Sequence, residues 1–167
     1  MKLTVKESCV FAMLGTLMYT SKLLLEFLPN VHLLGALTIT YTLCYRKKAH
    51  YPIYIYVFIL ALFNGFSLWV LPHLYLWTIL WGCVMLIPSN LSQGKKQIIC
   101  TLLCGLHGFL YGTLYAPAQA ILFGLSFNGM ITWIMAGLPW DMVHGISNLC
   151  VSIVITPLTK ILKQLHI

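Results

Sequence analysis

The sequence predicts an all-α integral membrane protein, a six-helix transmembrane bundle with a long outer or re-entrant loop between helices 5 and 6. Three observations carry this. Of 167 residues, 60% are hydrophobic and 8% charged, and the mean hydropathy is +0.89. Soluble domains carry about a quarter charged residues, so this composition excludes a soluble core. Apolar runs also follow one another with short breaks, and a hydrocarbon core takes about 20 helical residues to cross. The runs place spans near 8–28, 31–45, 51–70, 73–87, 97–115 and 140–158, in a single membrane domain over 1–167.

The first run follows "MKLTVKE", which is like the head of a signal peptide. It carries Lys22 and Glu26 and ends at Pro29 without an A-x-A-like cleavage site, so it reads as a mature helix. Lys22 and Glu26 stand four apart and are expected to pair. Ser8, Ala12, Thr16 and Thr20 form a row of small residues that lets another helix approach closely, inside the bundle or from a partner. The breaks that follow are "LPN", "YRKKAHYP", "LPH" and "PSNLSQGKK", each holding the proline, glycine or charge of a turn. Span five contains "CGLHGFLYG". Cys104, Gly108 and Gly112 form a small edge suited to helix packing, beside a polar and aromatic edge of His107, Tyr111 and Tyr115.

The segment 116–139, "APAQAILFGLSFNGMITWIMAGLP", is apolar enough to be a seventh span, and charge decides against it. Nine basic residues (Lys2, Lys6, Arg46, Lys47, Lys48, Lys95, Lys96, Lys160, Lys163) lie at the N-terminus, the second and fourth connections and the C-terminus. Six spans put all of them on one face, which the positive-inside rule makes cytoplasmic together with both termini. A seventh would put Lys160 and Lys163 outside. The segment is therefore expected to be a partly helical outer or re-entrant loop. The outer face then consists of "LPNVH", "WVLPHLY" and this loop, poor in charge and rich in Trp, Tyr, His and Asn, as either a ligand mouth or an interfacial aromatic belt of Trp69, Tyr75, Trp77 and Trp133 would be.

In the last span, "GLPWDMVHGISN" puts Asp141, His144 and Asn148 at offsets that share one helical stripe, continued by Ser152. Such groups are costly against lipid and mark a functional site or interhelical glue. With Pro139 read as a first-turn proline, Asp141 would also complement the positive end of its own helix dipole. The six cysteines show no CxxC pair and suggest neither disulfides nor zinc. There is no Walker A pattern, HExxH or nucleophile elbow, so no catalytic chemistry, cofactor or P-loop ATP binding is expected. The net charge of +7 sits on the cytoplasmic loops and suits anionic lipid or acidic partners better than nucleic acid.

The ending "GLPWDMVHGISNLCVSIVITPL" resembles the last-helix signature of the substrate-binding S components of energy-coupling factor (ECF) transporters. The "LPNVHLLGALTITYTLCYRKKAHYPIYIY" stretch and the basic "GKK" loop also resemble bacterial members. The resemblance implies a non-enzymatic subunit of the bacterial cell membrane that captures a vitamin or similar micronutrient at its outer face. It would pass the substrate inward with a transmembrane T component and two ATPase subunits. It further implies a cavity lined by Trp77, Trp81, Tyr111, Tyr115, Asn128, Asp141, His144 and Asn148, and a T-component contact along Ser8, Ala12 and Thr16. Two other readings of the residues stand beside it. One is a haem- or quinone-binding redox protein using His107 and His144. The other is a membrane assembly or structural protein whose polar stripe serves packing alone.

Overall fold

A computed structural model describes residues 2–165, and these are helical with no strand among them. The helices are α1 (Val5–Leu24), α2 (Leu34–Tyr45), α3 (His50–Asn64), α4 (Leu71–Met85), α5 (Gln93–Phe109), α6 (Tyr111–Phe123), α7 (Phe127–Val151) and α8 (Ile155–Gln164). Short 3-10 turns or a single residue join α2 to α3, α5 to α6 and α7 to α8, so helix runs unbroken over five stretches of the described residues, although the chain reverses between α2 and α3, where Tyr45 and Tyr51 both pack on Phe11 of α1. Three of these, Leu68–Met85, Gln93–Phe123 and Phe127–Gln164, are long and apolar enough to cross a membrane. The expected count of six spans is therefore not supported. Lys6, Glu7 and Lys22 interrupt the apolar character of α1, and Arg46, Lys47 and Lys48 lie in the turn between α2 and α3, which are 12 and 15 residues long.

The pattern of burial is that of a chain in lipid. Large apolar side chains such as Met13, Phe58, Leu62, Ile98, Leu102 and Ile121 are exposed, while Thr38, Thr40, His107, His144 and Asn148 are buried. Between helices in hydrocarbon, polar groups have nowhere else to go. α2 is the central element, with Leu34 through Thr42 all buried. Two of its hydroxyls are satisfied within the helix, Thr40 donating to Ala36 O at 2.7 Å and Thr42 to Thr38 O at 2.7 Å, and Tyr41 donates across to Leu14 O of α1 at 3.2 Å.

α5 and α7 pack most closely, because glycines line the seam. A Cβ on Gly108 would lie 2.8 Å from Gly145 Cα and 2.9 Å from His144 O, closer than real Cβ contacts come. The Cys104, Gly108 and Gly112 edge is thus a packing edge, with Cys104 O accepting from Asn148 Nδ2 at 3.1 Å.

The segment 116–139 is a helical hairpin rather than a loop that carries some helix. α6 runs to Phe123, Gly124 closes it in the left-handed conformation (φ 65°), and Ser126 opens α7 by accepting from Gly129 N at 3.1 Å. Pro117 and Pro139 lie inside α6 and α7, so Pro139 does not begin a helix and Asp141 is not a first-turn acid of its own helix.

Lys6, Arg46, Lys48 and Lys96 gather at one end of the bundle. Lys6 Nζ donates to Leu165 O at 3.3 Å, Lys48 pairs with Glu7, Arg46 donates to Met85 O at 3.0 Å, and Lys96 donates to Ser89 O at 2.7 Å. The Lys22 and Glu26 pair forms as expected, at 3.2 Å.

Candidate ligand-binding site

α1 ends in a loop that carries His32 into the bundle, where its ring meets His144 of α7 at a centroid distance of 4.5 Å. Tyr111, in the first turn of α6, lies 4.9 Å from His144 and 6.1 Å from Trp77 of α4. Trp77 in turn lies 5.5 Å from His107 of α5 and 6.3 Å from His32. A second layer continues from this one. The Tyr111 hydroxyl is 3.3 Å from His73 Nε2, and His73 packs edge-on against Trp69 and Tyr115. Tyr115 donates to Trp69 O at 2.9 Å and stacks on Trp133 at 6.0 Å. Histidines and aromatic rings from α4, α5, α6, α7 and the loop before α2 thus form one cluster, none of whose members is a basic-end residue.

The cluster is aromatic in bulk and polar at its edges. His32 Nδ1, His73 Nδ1, Trp77 Nε1, His107 Nδ1 and His144 Nε2 are all buried without a hydrogen-bond partner among the described residues. Each such group costs roughly 1–3 kcal/mol if nothing hydrogen-bonds to it. Five of them around a few rings are what a site for a flat molecule with polar edges requires: stacking surface from the aromatics, and hydrogen-bonding capacity held at fixed positions. His107 Nε2 is used, 3.1 Å from Leu76 O, which fixes its ring and leaves Nδ1 as the free nitrogen. Among the described residues no three His, Cys, Asp or Glu side chains are grouped to hold a metal ion.

The residues expected from sequence divide into three groups. Trp77, Tyr111, Tyr115 and His144 lie in the cluster. Asp141 and Asn148 flank it on the α7 stripe, each about one turn from His144, and tie helices together, Asn148 through Nδ2 while its Oδ1 has no partner among the described residues. Asp141 accepts from Gly112 N through both carboxylate oxygens, at 3.0 and 3.1 Å. The break at Leu110 leaves the first amides of α6 without helical acceptors, and Asp141 supplies a charged one, serving as the start acid of α6 instead of α7. The cradle is close-fitting, since a Cβ on Gly112 would lie 2.5 Å from the carboxylate.

Trp81 and Asn128 are not part of the cluster. Trp81 donates from Nε1 to Arg46 O at 3.1 Å and packs on His50 at 3.9 Å, at the basic end. It stands one helical turn past Trp77, which carries it away from the cluster. Asn128 is exposed in the first turn of α7, its carbonyl accepting from Thr132. His32 and His73 were not singled out from the sequence. Both lie in breaks assigned to the outer face, "LPNVH" and "WVLPHLY", and a histidine in an otherwise uncharged break was the available signal.

Comparison with known protein families, with curated proteins and with solved structures finds no match.

Proposed function

We propose that this chain is a membrane solute-binding subunit of the ECF S-component kind, which takes a vitamin-like molecule into the cluster of His32, His73, Trp77, His107, Tyr111 and His144. The observation that carries this reading is the set of five buried ring nitrogens without partners among the described residues, on rings that touch one another. Half of the ten such atoms among the described residues fall in this one cluster, and each opposes folding unless something hydrogen-bonds to it. The ligand stacks against Trp77 and Tyr111 and takes hydrogen bonds from or to the imidazoles. The cluster lies away from the basic end, on the side that the positive-inside rule makes the outer side of a bacterial cell membrane.

Transport on this reading requires a separate energised module, a T component with two ATPase subunits, since the chain has no phosphate-binding loop of its own. The small-residue row of α1 suits that contact. Ser8, Ala12 and Thr16 are exposed while Phe11, Leu14 and Met18 on the other side of the helix are buried, so the row is directed away from the bundle.

The test is titration of the purified protein in detergent with flat micronutrients such as thiamine, riboflavin and folate, followed by tryptophan fluorescence. Trp77→Phe keeps a ring but removes the unpartnered Nε1–H. It is expected to lower affinity about tenfold or more, an effect of about 1.4 kcal/mol, while leaving thermal stability equal or higher. Affinities of Trp77→Phe and His144→Gln equal to the parent's would exclude the cluster as the site. A Soret band in the absorption spectrum of the parent would point instead to haem.

A further inference from the structure

We propose that the basic end of the molecule holds a second site, for a phosphate-bearing anion, in the cleft between the Arg46 turn, the start of α5 and α8. The cleft has a volume of about 450 Å³ and is lined by Arg46, Lys96 and Lys163, with Leu43, Ile87 and Ile155 giving it an apolar side. Three cations around one cleft repel each other unless something anionic lies between them. No acidic side chain supplies it. The chain has three acidic residues, and all are engaged elsewhere: Glu7 with Lys48, Glu26 with Lys22, and Asp141 with Gly112 N.

Two of the cations are held in place by neutral partners. Arg46 donates to Met85 O at 3.0 Å and Lys96 to Ser89 O at 2.7 Å, contacts that fix the side chains and leave their charge uncompensated. The first turn of α5 opens at the same cleft through Gln93, and its N-cap Ser92 makes no side-chain capping bond, so the positive end of this helix adds to the field. An independent observation points to a ligand. Thr159, 6% exposed, lines the cleft with a hydroxyl that has no hydrogen-bond partner among the described residues. A phosphate oxygen accepts from that hydroxyl, from the cations and from the helix amides alike, and the apolar side suits the glycerol and first methylenes of a lipid. The group has two sources, the headgroup of an anionic phospholipid or free phosphate.

The test is thermal unfolding of the full chain in neutral detergent, with short-chain phosphatidylglycerol, short-chain phosphatidylcholine, or sodium phosphate against sodium chloride at matched ionic strength. Phosphatidylglycerol or phosphate is expected to raise Tm by roughly 3–10 °C at about 10–100 times its half-saturating concentration. Lys96→Gln, Lys163→Gln and Thr159→Val are each expected to reduce the shift, and Lys96→Arg to retain it. Lys47→Gln and Lys160→Gln, basic residues that do not line the cleft, are expected to leave it unchanged. A full response to phosphate identifies a free anion, and a response to phosphatidylglycerol alone identifies a headgroup; both support the site. The proposal is overturned if neither additive shifts the parent more than its control. It is equally overturned if the two control variants lose the shift as fully as the cleft variants. Should Lys96→Gln not fold, Lys163→Gln and Thr159→Val carry the same comparison.

Discussion

Asp141, His144 and Asn148 share a stripe of α7, and period alone placed them together. Their partners separate their roles. Asp141 holds Gly112 N through both oxygens, Asn148 holds Cys104 O through Nδ2 and leaves Oδ1 without a partner among the described residues, and His144 turns its ring to His32 and Tyr111 and leaves Nε2 without one. Asp141→Leu is expected to cost roughly 1–3 kcal/mol, because it strands a buried backbone amide. Asp141→Asn, which keeps an acceptor, should cost less and leave ligand affinity within about threefold of the parent. Equilibrium unfolding in detergent and ligand titration together check this. A large loss of affinity in Asp141→Asn with unchanged stability would return Asp141 to the binding site. The stripe was legible in the sequence, but the division within it was not, since it depends on the helix break at Leu110, which no hydropathy pattern marks.

At the scale of elements, the seam of α5 and α7 depends on residues without side chains. Gly108→Ala is expected to destabilise by roughly 1–3 kcal/mol, since its Cβ meets the backbone of α7 and the helices must separate. Gly137→Ala is the control. It lies in α7 with nothing within 4 Å of its Cβ position, and should be neutral or raise stability by about 0.5–1 kcal/mol. Tm values for both variants decide the point, and equal effects would mean that close packing does not hold the seam. The small edge of α5 was legible as a packing edge. The hairpin at 116–139 was not, although its signals were present. Gly124 at a helix end and Ser126 at a helix start are capping residues, and the reading of Pro139 as a helix start obscured them. Charge parity grouped Lys6, Arg46, Lys48, Lys96 and Lys163, which lie together at one end. Hydropathy could not mark the joints of α5 with α6 and of α7 with α8, because helices separated by one residue or a 3-10 turn leave no loop to detect.

At the scale of the molecule, one end is basic and anchored by a cross-helix ion pair, Glu7 with Lys48, and the other carries the aromatic cluster. The Lys48 ammonium, together with the Thr4 amide that closes the capping box at the start of α1, holds the Glu7 carboxyl below its ordinary value of 4.5. A lowered carboxyl pKa stabilises the fold above that ordinary value, and the gain is lost as pH falls through the folded value. Between about pH 5 and pH 3 the Tm of the parent should therefore fall more steeply than that of Glu7→Gln. Parallel slopes for the two proteins would show that the pair contributes nothing to this end of the bundle. The membrane class and the charged end were legible from composition. The cluster was legible only in part, because His32 and His73 reach it from breaks in the chain, and the folding of a break back into a bundle is set by tertiary packing.

The central claim is that the cluster holds a small molecule, and native mass spectrometry of the full chain purified in detergent from cells grown in rich medium tests it most directly. The expected result is an adduct of a defined, vitamin-sized mass that is present on the parent and lost or weakened in Trp77→Phe. A parent that carries no adduct and shows no thermal shift with any of a panel of vitamins would contradict it.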